Sequence, residues 1–109
     1  MYSFKHQLIL LLALFPLISF GQTQVSGVVK SSKETLIGVT IWLKNPTSGK
    51  NIGASSDVDG KFIFQNVAPG KYTLSSSYVG YKEYINNSFV VGADPVVVSI
   101  ELEEDSKLL

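Results

Sequence analysis

From Gln24 onward, apolar and polar residues alternate with a period of two, the spacing of half-buried strands rather than of an amphipathic helix. Val25, Gly27 and Val29 oppose Ser26, Val28 and Lys30, and Val39, Ile41 and Leu43 oppose Thr40, Trp42 and Lys44. Phe62 and Phe64 alternate with Lys61, Ile63 and Gln65, and Tyr72, Leu74 and Ser76 with Thr73, Ser75 and Ser77. Shorter strands are expected over Lys82 to Ile85 and Ser88 to Val91, and a last one places Val96, Val98, Ile100 and Leu102 on one face. The predicted core includes Val39, Ile41, Phe62, Phe64, Leu74 and Ile100.

The gaps are dense in turn residues: Asn45 to Gly49, Asp57 to Gly60, Ala68 to Gly70, Asn86-Asn87 and Gly92 to Pro95. Pro69-Gly70 suits the central places of a type II turn, where glycine takes a positive φ. Seven short strands at this spacing, with no helical window among them, predict an all-β fold, a seven-stranded antiparallel Greek-key sandwich. Each strand then offers one face to the core and one to water, as two packed sheets require.

The first residues obey a different rule. Met1 to Gln7 carries Lys5 and His6, Leu8 to Ile18 is apolar, and Ser19 and Gly21 stand at the −3 and −1 places of a cleavage site. This is the order of a secretory signal peptide over 1–21. A membrane span needs about 20 apolar residues, and this run is shorter and broken by Pro16. The predicted organisation is therefore a signal peptide over 1–21, a β-sandwich domain over 22–102 and an acidic linker or tail over 103–109, with no membrane span.

Composition removes most chemistries. The chain has no cysteine, which rules out disulfides and a lipid-modified cysteine after the leader. All nine basic residues are lysine, so there is no arginine fork for phosphates or base edges and no basic stripe for nucleic acid. His6, the single histidine, falls in the leader. Without histidine or cysteine, imidazole-activated nucleophiles and the usual zinc sets are absent. No catalytic, cofactor-binding or metal residue is assigned and no cofactor is implied. Asp57-Val58-Asp59-Gly60 opens like a calcium loop, but Lys61 to Gln65 then reads as a strand and no bidentate acid comes after it. The expectation is a turn whose aspartates bond backbone N–H groups. Tyr78, Tyr81 and Tyr84 could stack sugars but are expected to pack at the core edge, as is a half-exposed Trp42. Asn86-Asn87-Ser88 matches a glycosylation triplet of low specificity.

Several blocks then occur in order: Val25-Ser26-Gly27-Val28-Val29, Leu36-Ile37-Gly38-Val39-Thr40-Ile41, Ser56-Asp57-Val58-Asp59-Gly60-Lys61-Phe62, Val67-Ala68-Pro69-Gly70-Lys71-Tyr72-Thr73-Leu74 and Tyr78-Val79-Gly80-Tyr81-Lys82. Together, over about residues 24 to 102, they resemble the carboxypeptidase-regulatory-like (transthyretin-like) domain, closely in its version at the N-terminus of SusC/RagA-type TonB-dependent outer-membrane transporters. Thr35 stands where the pattern usually has proline, and Ser56 where it usually has threonine. The resemblance implies a non-catalytic accessory domain of a nutrient transporter, exported to the periplasm or outer membrane of a Gram-negative envelope, with a protein partner. It also implies that Glu103 to Leu109 leads onward to a TonB box, so that the chain stops short of its continuation. The alternative is a stand-alone exported sandwich that binds a protein or glycan.

Overall fold

The structure, a computed structural model, describes residues 21–106. Apart from Gly21, the expected leader lies outside the described residues, as does 107–109. Seven strands form, β1 (Thr23–Lys30), β2 (Thr40–Lys44), β3 (Asn51–Ser55), β4 (Lys61–Val67), β5 (Gly70–Ser77), β6 (Tyr84–Val91) and β7 (Val96–Glu101). They make a three-stranded sheet in the order β4-β1-β7 and a four-stranded sheet in the order β3-β2-β5-β6. Only the β2–β3 and β5–β6 connections stay within a sheet; the others cross between sheets. Among the described residues no helix is long and apolar enough to cross a membrane.

The six predicted core residues are all buried, and Val25, Val29, Leu43, Val67, Tyr72, Phe89, Val91 and Leu102 join them. Phe62 and Phe64 meet edge to face, with ring centroids 6.0 Å apart at 70°. Gly27 lies on the same inward face. A Cβ there would collide with the Val98 carbonyl oxygen and stand 2.8 Å from the Phe62 ring, so the absent side chain lets the Phe62 ring approach β1 and the neighbouring β7 pair closely beside it.

Several local expectations are corrected. The sandwich is antiparallel except at β1–β7, which pair in parallel from Val25↔Val96 to Lys30↔Glu101; the chain crosses from β6 in the other sheet and so approaches β7 from the end at which β1 starts. The strand β3 is not among the expected strands: it alternates, but it is an edge strand with Gly53 at its centre and only Ile52 and Ala54 turned partly inward, too few apolar positions to signal it. The segments expected as separate strands at 82–85 and 88–91 are one strand, β6. The Asn86-Asn87 turn signal is used instead in a bulge: Tyr72 pairs Phe89 while Leu74 pairs Asn86, and the Ser88 N–H donates to Asn86 Oδ1 at 3.0 Å. Pro69-Gly70 makes no type II turn, since Gly70 opens β5 without a positive φ. The left-handed residue is Asn66, at φ 58°, where β4 is irregular against β1, and asparagine tolerates that conformation better than most. Tyr72 then clasps the connection, its hydroxyl donating to the Ala68 carbonyl at 2.6 Å.

Opposite changes of volume in this core should both destabilise. Phe64→Ala is expected to cost about 3–5 kcal/mol by emptying a buried aromatic site, and Gly27→Ala about 1–3 kcal/mol by overfilling one. Denaturant unfolding measures both; a Phe64→Ala loss under about 1 kcal/mol would place that ring at the surface.

Candidate functional site

The aspartate turn is built as a turn. Asp57 Oδ1 accepts the Asp59 and Lys61 N–H groups, each at 2.9 Å. The Asp57 carbonyl accepts the Gly60 N–H at 2.9 Å and its own N–H donates to the Lys61 carbonyl at 2.9 Å. Gly60 takes φ 77°, and a Cβ there would stand 2.6 Å from the Val29 carbonyl oxygen. One carboxylate oxygen is thus committed to backbone, which is the role the residue types predicted.

The tyrosines behave as edge packing. Tyr78, Tyr81 and Tyr84 lie partly buried against the core, and the Tyr78 and Tyr81 rings sit 5.8 Å apart, tilted by 36°. Around them the acidic tail departs from expectation: Glu103 to Asp105 is not a free linker. Leu102 is buried, Tyr81 and Glu104 form an antiparallel bridge, the Lys82 N–H donates to the Glu103 carbonyl at 2.8 Å and the Asp105 N–H to the Gly80 carbonyl at 2.9 Å. Lys82–Glu103 at 3.6 Å and Lys33–Glu104 at 3.8 Å add exposed ion pairs of small energetic weight. The buried leucine carries the chain past the last strand, and the backbone beside Tyr81 supplies hydrogen-bond partners for Glu103 and Asp105.

The serines at 75–77 gain no reactive partner. Ser75 and Ser76 are buried, and the Ser76 hydroxyl has no hydrogen-bond partner. Among the described residues, no three acid, histidine or cysteine side chains group as metal ligands.

The feature with the shape of a binding site is a groove of about 650 Å³ where the edge strands β4 and β3 of the two sheets approach each other. The outer faces of β4, β1 and β7 supply Ile63, Val28 and Val97, and β3 supplies Gly53 to Ser55. Ser26 pairs with Ile63 on one side and Val97 on the other, so two exposed apolar side chains (46% and 81% accessible) stand in one row across the sheet. The rim carries Asp57 and Lys61. The sequence holds a signal for this groove, since Ile63, Val97 and Val28 are apolar at positions alternation assigns to water. What it lacks is the pairing that puts them side by side.

The model of the CarboxypepD_reg-like domain family matches residues 25–109. No curated protein matches the chain. Solved structures share the fold. A type II cohesin–X-dockerin complex from Acetivibrio cellulolyticus aligns at TM-score 0.63 and 24% identity over 75% of this chain and 58% of the other. A Bacteroides uniformis protein whose suggested role is carbohydrate binding aligns at TM-score 0.64 and 12% identity, over 76% and 42%. The backbone protein of the group B streptococcus pilus 2b aligns at TM-score 0.60 and 19% identity, over 80% and 43%. The chain therefore spans only about half the length of these structures.

If Asp57 serves the turn, its substitutions should separate by shape rather than charge. Asp57→Asn keeps the accepting oxygen and should stay near wild-type stability, while Asp57→Ala should lose about 1–2 kcal/mol. Thermal melts with and without millimolar calcium should superimpose; a calcium-dependent rise abolished by Asp59→Ala would assign the turn to metal instead.

Proposed function

The chain belongs to the CarboxypepD_reg-like domain family, and from that premise we propose that it is a non-catalytic accessory domain that docks a protein partner in the cell envelope. More specifically, we assign it as the N-terminal accessory domain of a SusC/RagA-type TonB-dependent outer-membrane transporter, working in the periplasm after export. The observation that carries the docking role is the groove between β3 and β4. It pairs an apolar row, Ile63 and Val97, with two strand edges whose outer backbone groups are open to pairing. An extended segment laid there can hydrogen-bond to an edge while its side chains fill the groove, the usual logic of strand addition. The residue inventory supports the non-catalytic reading, since no histidine or cysteine comes after His6 to activate a nucleophile. The blocks that resemble the transporter version support the finer assignment.

The finer assignment is tested by reading the gene past the codon for Leu109. A frame that continues into a TonB box, a plug and alternating barrel strands is the expected result; a stop codon with no plug sequence beyond it would favour the stand-alone alternative. The docking role has its own test. Ile63→Thr with Val97→Thr keeps β-branched residues on the strands and should change stability by no more than about 0.5 kcal/mol per site. In cells, a photo-reactive residue at position 99, next along the outer face of β7, should cross-link to an envelope protein, and the paired threonines should suppress the adduct. An adduct that survives them would move the docking surface elsewhere.

A further inference from the structure

The outer face of the four-stranded sheet lies away from the groove and has a different chemistry. Register places Gly53, Trp42, Ser75 and Ile85 in one row across β3, β2, β5 and β6. Trp42 is 39% exposed. Its ring lies over Gly53, where a Cβ would meet three indole carbons at 3.0–3.3 Å. Glycine at this edge position therefore lets the indole rest on the strand instead of standing clear of it, leaving a platform held by backbone on one side and open to water on the other.

Beside the indole the face is hydroxyl and amide, and toward the β6 edge it carries exposed Ile85 and Val90. Ser55, Thr40 and Ser77 form the row on one side, and Asn51, Lys44 and Thr73 the row on the other. The Thr73 hydroxyl donates to Asn87 Oδ1 at 3.3 Å, which holds that amide at the rim. Lys44 and Lys71 also point outward from this face, and the outward positions of its strands carry no carboxylate. The ion pairs formed by Lys33 and Lys82 lie at the far end of the sandwich and involve neither lysine.

We infer that this face binds an acidic polysaccharide, with a pyranose ring stacked on Trp42 and a uronate carboxylate set toward Lys44. A sugar presents an apolar C–H face rimmed by hydroxyls, which matches an indole rimmed by threonine, serine and asparagine. A protein partner would require a wider apolar centre than one indole with Ile85 and Val90 near the sheet edge. Nucleic acid would require more cations than these lysines supply. Among the described residues neither lysine forms an ion pair, and their charge selects an acidic chain over a neutral one.

The chain has a single tryptophan, so its fluorescence reports on this face alone. Titration of the purified protein with oligogalacturonate should give a saturable change in emission that weakens with added salt. A neutral (1→4)-linked glucan of equal length should give little. Lys44→Glu, an exposed substitution that leaves the core untouched, should lower oligogalacturonate affinity about three- to tenfold. Trp42→Ala removes the fluorophore, so it is read by affinity electrophoresis in polygalacturonate gels, where retardation should disappear while the thermal melt stays cooperative. Lys33→Gln, at the far end of the sandwich, should be retarded like wild type. No emission change with oligogalacturonate, retardation that persists in Trp42→Ala, or equal binding of the neutral glucan would each overturn the assignment.

Discussion

The sandwich depends on how the chain crosses from one sheet to the other without stranding backbone polar groups in the core, and one buried hydroxyl solves much of that problem. Ser56 Oγ accepts the Val39 N–H at 2.9 Å and donates to the Leu36 carbonyl at 2.7 Å. The backbone of Ser56 takes up two further groups of the same segment, the Gly38 N–H at 2.9 Å and the Val39 carbonyl at 3.0 Å. Leu36 N–H reaches the Val29 carbonyl and Val29 N–H the Gly60 carbonyl, at 3.1 and 2.8 Å. The two crossing segments, 31–39 and 56–60, thus satisfy each other. Leaving such buried groups unpaired would cost about 1–3 kcal/mol each. The hydroxyl, not the rest of the side chain, is what the position uses.

Once the crossings are fixed, the faces are fixed too. Inward positions fill the core, and Gly27 leaves room for the Phe62 ring and for the Val98 carbonyl of neighbouring β7. Outward positions would be uniformly polar if packing were the only demand. They are not: Ile63 and Val97 break the rule on the three-stranded sheet and Trp42 on the four-stranded one, all of them exposed. Where such side chains gather in one row across a sheet, as Ile63 and Val97 do, they form a surface that can meet a partner.

Legibility in the sequence tracked the range of the signal. Val39, Ile41, Phe62, Phe64, Leu74 and Ile100 were readable as core because alternation is local and each run carries its own period. The strand β3 was not, because its inward residues are Ile52 and Ala54 around Gly53, too weak a pattern at a half-covered edge. Turn chemistry was read correctly at Asp57 but mistaken at Asn86-Asn87, where the same preference for unusual backbone serves a bulge inside β6. The tail misled for a related reason: three consecutive acids, Glu103 to Asp105, look solvated, yet it is their backbone that pairs with 80–82. The groove and the Trp42 platform lay beyond local reading, because each is made by register between strands far apart in the chain.

The parallel pairing of β1 and β7 has a geometric consequence for the domain. Antiparallel first and last strands would bring the two ends of the domain together. Parallel ones separate them by the length of β1, eight residues, or about 26 Å at the usual strand rise. The chain enters beside the 45–50 and 92–95 turns and leaves beside Tyr81, where Glu103 and Asp105 are anchored to the 80–82 backbone. The first and last strands therefore begin at one end of the sandwich and finish at the other. The groove faces sideways from that axis, along the β3 and β4 edges. In the transporter reading, a partner bound in the groove would not obstruct the path of the chain, so docking at the side and connection through the end can operate at once.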